Sequence, residues 1–332
     1  MMQKSKLFVH LPEYINTPDG MDIDRDGHLI LSCPNFADIS TSGCVVRIDK
    51  DTREVTKWFD VPVSPETGVA RNMGMALYYR PDGLCDVFLC DNQGWSGAEE
   101  LQNKGRMLKV TMDGDKMVEW KTIAKNMEHP NGVRIWNGQI YATQSMNSPV
   151  KDPSGKLVSS VYRFNFDDEN IEVTNTLEDK NLLVTYITHN PECQYGADGI
   201  AFRDGVMYVG NFGDGEIYKT TFNEDGSVKD HFPWAKDPEN LTTTDGISFD
   251  GEGNLYVADF SVNAIAKVEP SGKITRLAQS PDKTGYEGGL EQPGEPIVYQ
   301  GMIVASCFDL VTGPDKINSA HEMPATLAYL DM

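Results

Sequence analysis

Positive charge is scarce in this sequence. Its 332 residues carry 29 Lys and Arg against 50 Asp and Glu, a formal charge of −21, which repels phosphate backbones and anionic membrane surfaces. Nucleic acid and membranes are therefore not expected as partners. Long hydrophobic runs are missing too. No apolar stretch approaches membrane-spanning length, and the opening MMQKSKLFVHLPEY has no long apolar h-region. The expectation is a soluble, cytoplasmic protein that acts on a small molecule. Cysteine is sparse and unpatterned: Cys33, Cys44, Cys85, Cys90, Cys193 and Cys307 include no CxxC pair, so buried thiols are expected rather than disulfides. No long amphipathic helix pattern competes with strand patterns. No linker or low-complexity stretch divides the chain, which reads as one domain over residues 1–332.

What the sequence does contain is a repeat. The segment TTTDGISFDGEGNLYVADFS (242–261) has an alternating strand, a Gly-rich turn and an apolar strand, with an Asp-Gly pair ahead of the first strand. The same form recurs in TPDGMDIDRDGHLILSC (17–33), HPNGVRIWNGQIYATQ (129–144) and GADGIAFRDGVMYVGNF (196–212). Looser copies are RNMGMALYYRPDGLCDVFLCDN (71–92) and GEPIVYQGMIVASC (294–307). Aligned, they place Asp19, Asn72, Asn131, Asp198, Asp245 and Glu295 in register, at intervals of 53, 59, 67, 47 and 50 residues. Mostly-strand repeats at this period predict a six-bladed β-propeller. Further strand pairs at 44–60, 106–124, 160–175, 215–232 and 264–278 give four strands per blade. The sixth blade has three candidates near the C-terminus, the last at 325–332. The early segment KLFVHLP is expected to supply its outer strand and close the ring.

The register has a chemical consequence. Inner strands of a propeller lie side by side around a central channel, so equivalent strand starts converge at one mouth. Each Asp-Gly alone is ordinary turn chemistry, but six oxygen-bearing residues in phase are not explained by turns. Like charges at about 4 Å repel by roughly 4 kcal/mol even at an intermediate dielectric. No Lys or Arg recurs at the matching position, and no His or Cys is in register. Oxygen donors of mixed charge suit Ca²⁺ best, then Mg²⁺ or Mn²⁺. Asn72, followed by Met, and Glu295, followed by Pro, are expected to orient water, substrate or ligands rather than grip the ion.

On these residues the chain resembles the family of senescence marker protein 30, gluconolactonase and diisopropylfluorophosphatase, six-bladed calcium-dependent propellers. The resemblance spans essentially the whole chain and implies that Asp19, Asn131, Asp198 and Asp245 hold a catalytic ion. Two positions depart from that family: Asp19 stands where Glu is usual and Asp198 where Asn is usual, which leaves Zn²⁺ and Mg²⁺ open. The sugar lactonases carry Arg-x-Asn-Asp-Gly in blade three, where this chain has Glu128-His129-Pro130-Asn131-Gly132. Gluconolactone is therefore not the expected substrate; lactones and esters as a class are.

The implied reaction is metal-dependent hydrolysis of a lactone or related ester. The ion polarises the carbonyl, and Asp245, which the resemblance singles out, attacks or deprotonates water. His129, two residues before Asn131, is a second catalytic candidate, and His189 a substrate or supporting one. The alternatives are a phosphotriester hydrolase, or a non-enzymatic propeller whose ion stabilises the fold while its rims bind a metabolite or protein. Loops at 92–105, 144–159 and 279–294 could cover the mouth. Trp95, Met146, Phe212, Phe260 and Phe308 follow the second-strand ends and are expected to pack.

Overall fold

The computed structural model describes residues 2–313 and 316–332. The fold is all-β: six antiparallel sheets, the blades of a β-propeller, with only three-residue 3₁₀ turns for helix among the described residues. No helix among them is long and apolar enough to cross a membrane. Contacts divide the chain into two units, Gly20–Ile187 and Met1–Asp19 with Thr188–Met332.

In the first unit, blade one runs from its inner strand Met21–Ile23 through Leu29–Cys33 and Cys44–Ile48 to Val55–Asp60. Blade two begins with Asn72–Tyr79 and Cys85–Asp91, and continues with Gly105–Asp113 and Lys116–Met127. Blade three holds Pro130–Trp136, Gln139–Gln144, Leu157–Asn165 and Leu182–Thr188. Here the sequence expectation needs correction. The outer strand of blade three was expected within 160–175, but Leu182–Thr188 takes that place, and Ile171–Glu172 pairs in parallel with Ala124 and Lys125 on the edge of blade two. Left-handed Asn170 and Asn175 bound the short 171–172 segment, leaving it too few residues to form a blade edge. Leu182–Thr188 has the alternating apolar pattern that an edge strand needs.

In the second unit, blade four begins at Ala197–Arg203 and blade five at Ile247–Phe249. Blade six orders Pro293–Tyr299, Met302–Cys307, Thr326–Asp331 and, outermost, Lys6–His10. The N-terminal strand therefore completes the last blade as expected. It pairs antiparallel with Thr326–Asp331, and Phe8 sets its ring edge-on against Tyr299 and Tyr329 at 6.1 and 6.3 Å.

The core lies between blades. Leu255–Asp259 is buried along its length, whereas the outer strand Val228–Lys236 is largely exposed. A strand covered on both faces reads as a continuous apolar run. Between blades four and five, Ile217, Leu241, Ile247 and Val257 pack together, and Tyr208 meets Phe249 edge to face at 4.8 Å. The hairpin turns are built by acids. Asp24 accepts the amides of Asp26 and His28 (3.0 and 2.8 Å), Asp250 those of Glu252 and Asn254 (both 2.9 Å), and Gly27 and Gly253 supply the left-handed residue (φ 87° and 94°).

Candidate metal centre

The Asp-Gly pairs ahead of the inner strands serve a different purpose from those in the turns. Gly199 and Gly246 are not left-handed. Instead, a Cβ on Gly199 would lie 2.3 Å from the Asp245 carbonyl oxygen, and one on Gly246 would lie 2.6 Å from the Gly294 carbonyl oxygen and 2.7 Å from the Glu295 Cα. Each glycine lets the next blade's backbone press against it, and the Gly246 amide donates to the Gly294 carbonyl at 2.8 Å. A Cβ on Gly294 would come within 2.7 Å of Asp19 Oδ1. In the Met1–Asp19 and Thr188–Met332 unit, close packing of these backbones draws Asp19, Asp198, Asp245 and Glu295 together. The same close approach recurs in the other unit, where Gly74 sits against the Asn131 carbonyl.

All four acids are buried. Burial holds the Asp245 carboxyl well above the usual carboxylate range. The charges of Asp198, Asp19 and Glu295 push it further, as does a hydrogen bond to Asp198. No Lys or Arg is among the groups that set its charge. A proton shared between Asp198 and Asp245 relieves the repulsion. Among the described residues, no three His, Cys, Asp or Glu side chains are drawn tightly enough to grip an ion as they stand. In donor chemistry, a group of buried carboxylates still fits a hard dication.

Asp245 is positioned from outside the group. Its amide donates to the Ala258 carbonyl at 2.9 Å. Asp259, fully buried, accepts the Thr242 and Thr243 amides (both 2.8 Å) and the Arg276 guanidinium at 3.2 Å, which pins the segment leading into Asp245. In blade two Asp91 does the same work, accepting the Arg71 amide at 2.7 Å and pairing with Arg106. Sequence reading overlooked this acid at the second-strand end. Its signal was present in the aligned VFLCD and LYVAD runs.

The Gly20–Ile187 unit holds the remaining predicted residues. Asn72 is fully buried, and its Nδ2 donates to Ser32 Oγ (2.7 Å) and the Cys44 carbonyl (3.0 Å), tying blade two to blade one. Asn131 is buried in the bulge where pairing slips between Pro130 and Val133. His129 is buried as well; its Nδ1 accepts a hydrogen bond from Asn92 Nδ2 at 3.1 Å, and burial pushes its pKa down to about 4. It is a neutral imidazole protonated at Nε2, suited to donating a hydrogen bond rather than to accepting a proton. Cys33 stands directly opposite Cys44, and no cysteine among those described is in a disulfide. In the second unit, His189 is exposed and rests its Nδ1 on Asp214 at 3.1 Å, while Asp214 also caps the His189 and Asn190 amides.

Three aromatic residues expected only to pack form a continuous arc. Phe212, Phe260 and Phe308 meet edge to face at 5.8 Å each. Phe212 follows the strand that pairs with Ala197 beside Asp198, and Phe308 follows the strand that pairs with Pro293 near Glu295. Trp95 stacks separately on Phe36 at 4.8 Å.

No family model matches the chain, and no curated protein matches its sequence. Solved structures do match. A gluconolactonase from Xanthomonas campestris covers 99% of this chain and 95% of its own at 13% identity, TM-score 0.58. A calcium-binding protein, regucalcin, from Agrobacterium tumefaciens covers 99% and 93% at 9% identity, TM-score 0.60. The PQQ-bound aldose sugar dehydrogenase of Streptomyces coelicolor covers 98% and 97% at 15% identity, TM-score 0.62. Such different activities at such low identity leave the fold as what is shared. The propeller fold to which the sequence pointed, that of the senescence marker protein 30 and gluconolactonase family, is the fold of this chain.

Proposed function

We propose that the protein is a divalent-metal-dependent hydrolase of lactones or related esters. Asp19, Asp198, Asp245 and Glu295 would hold the ion, with Asp245 as the proton acceptor. The observation that carries this reading is the gathering of buried acids around Asp245, whose charges act on its carboxyl. The all-oxygen, highly charged donor set suits Ca²⁺ first and Mg²⁺ or Mn²⁺ next, and Zn²⁺ belongs in the same screen. When bound, the cation supplies a Lewis acid for a substrate carbonyl.

The chain's own residues supply the proton chemistry and the shape. Asp245 as a carboxylate takes the proton of water adding to the carbonyl; a bound cation would lower its basicity below that of the metal-free cluster and would lower the pKa of that water as well. The same proton returns from the Asp198–Asp245 pair to the departing alkoxide, which restores the starting charge. The Phe212, Phe260 and Phe308 arc offers an apolar wall and favours an alkyl or aryl substituent over a polyhydroxylated ring. A gluconolactonase and a calcium-binding protein among the similar folds support the reading.

The test is a panel of alkyl lactones, aryl esters and phosphotriesters, assayed with Ca²⁺, Mg²⁺, Mn²⁺ and Zn²⁺ and with a chelator. The proposal expects turnover of a lactone or ester that the chelator abolishes before the protein unfolds. Metal-dependent stabilisation with no turnover of any substrate would instead favour a propeller that only binds. Turnover of phosphotriesters alone would move the reaction class.

A further inference from the structure

Glu128 and His129 join the strands Lys116–Met127 and Pro130–Trp136, and both are buried, at 5% and 3% exposure, in the wall of a cavity of about 240 Å³ inside the Gly20–Ile187 unit. Glu99 and Gln102 line its exposed side, and Met146 and Ser148 complete it. The Glu128 carboxylate accepts the Ser148 amide at 2.7 Å on one oxygen and the Ser148 hydroxyl on the other. Each oxygen keeps a lone pair. No Lys or Arg lines the cavity, and Glu128 is in no ion pair among the described residues.

A buried carboxylate without a counter-charge is costly, and two neutral hydrogen bonds compensate it only in part. The Nδ1 of His129 is engaged by Asn92 Nδ2 at 3.1 Å. Glu128 and Glu99 are the acidic side chains that line the cavity. The space is far larger than a single ion fills, Glu128, His129 and Glu99 do not gather into a group that could hold a metal ion, and Met146 and Ala98 give an apolar surface for a short carbon stem.

We propose that this cavity binds a small organic cation, a primary ammonium or guanidinium on a short alkyl stem, through the paired oxygens of Glu128. An N–H group of such a head donates to a lone pair that Ser148 leaves on the Glu128 carboxylate, and Met146 packs on the stem. An anionic ligand is rejected by Glu128 and Glu99 together. The proposal does not depend on the hydrolysis proposed above, since its test reads binding.

The experiment titrates the full chain by calorimetry with n-butylammonium and n-butylguanidinium chloride, against butyramide and sodium butyrate. About 0.15 M NaCl screens the general attraction of an acidic protein for cations. Both cations are expected to bind at least about tenfold more tightly than butyramide, with no binding of butyrate. Glu128→Gln should bring the cations within about threefold of butyramide, while Glu100→Gln, exposed and outside the cavity lining, should change their affinity less than about threefold. Ala98→Trp, which fills the cavity from a loop, should block every ligand and decides the matter if Glu128→Gln does not fold. The proposal is overturned if neither cation binds at concentrations up to about 50 mM, if Glu128→Gln keeps the preference, or if an equal concentration of CaCl₂ displaces the organic cations.

Discussion

The Asp198 carboxyl lies within hydrogen-bonding reach of the buried Asp245 carboxyl and helps to raise its pKa, since a neighbouring carboxylate repels a second charge and accepts from the protonated form. The folded protein therefore binds a proton at this pair more tightly than the unfolded chain, whose aspartates titrate near 3.9. A carboxyl raised on folding contributes stability that is fully present below the unfolded pKa and is lost as pH rises through the folded one. In chelator, the melting temperature of the wild type should fall relative to Asp245→Asn as pH is raised above about 4. A divalent cation should remove that difference, because it takes over the role of the proton. Differential scanning calorimetry across pH, with EDTA and with CaCl₂, measures both curves. Parallel curves in EDTA would show that the pair holds no such proton.

Asp245→Asn should also separate chemistry from folding. The amide keeps the shape and removes the base, so kcat for the best lactone or ester should drop about 10²- to 10⁴-fold, with the circular dichroism spectrum unchanged. An equal loss on replacing exposed His189 would move the base elsewhere.

The glycines beside the acids predict a sharp positional contrast. Gly199→Ala places a methyl group 2.3 Å from the Asp245 carbonyl oxygen, and the backbone must move to admit it. A loss of about 1–3 kcal/mol or more is expected in urea denaturation. Gly251→Ala, with nothing within 4 Å, should stay within about 0.5 kcal/mol of wild type. Both belong to Asp-Gly pairs in the sequence, so equal effects would mean that the close approach of the blades has no energetic weight.

That contrast also marks how far the sequence could be read. The period of the aligned acids, the strand alternation and the one-strand deficit of the last blade led to the architecture, and Lys6–His10 takes the place the deficit required. Local pattern was enough because each blade repeats the same local problem. It failed at blade three, where Ile171–Glu172 had strand composition but joins a neighbouring sheet, a choice made by tertiary pairing. The acids around Asp245 were legible from register. The distinction between Gly246 as a packing residue and Gly253 as a turn residue was not, because the sequence shows the dipeptide and not the φ angle. Asn72 was read toward the channel, yet its amide nitrogen ties to Ser32 and Cys44. Strand register says where a residue sits, while the direction of its side chain depends on neighbours distant in sequence.

The aromatic arc makes substrate shape testable. Phe260 contacts both Phe212 and Phe308, so Phe260→Ala opens the middle of the proposed apolar wall. KM for aryl esters should rise several-fold, up to about tenfold for a loss near 1.4 kcal/mol, while KM for a small unsubstituted lactone changes little. Steady-state kinetics on the two substrates gives the ratio, and an unchanged ratio would place the substrate away from the arc.

A second raised carboxyl offers a pH test that needs no ligand. Asp309 accepts Asn318 Nδ2 at 2.9 Å and the Glu322 amide at 2.8 Å. Burial pushes its pKa up to about 8, against the pull of the Glu322 amide and with the added charges of Glu291, Glu322 and Asp282. The sign follows as for Asp245. The protonated group costs nothing below the unfolded value near 4, and the contribution is lost as pH passes upward through about 8. Asp309→Asn mimics the protonated form at every pH and keeps an oxygen to accept the Glu322 amide. Urea denaturation should therefore find the variant close to wild type at pH 5 and more stable than wild type at pH 9. A variant that is less stable at both would mean that Asp309 is ionised in the fold and held there by a positive charge.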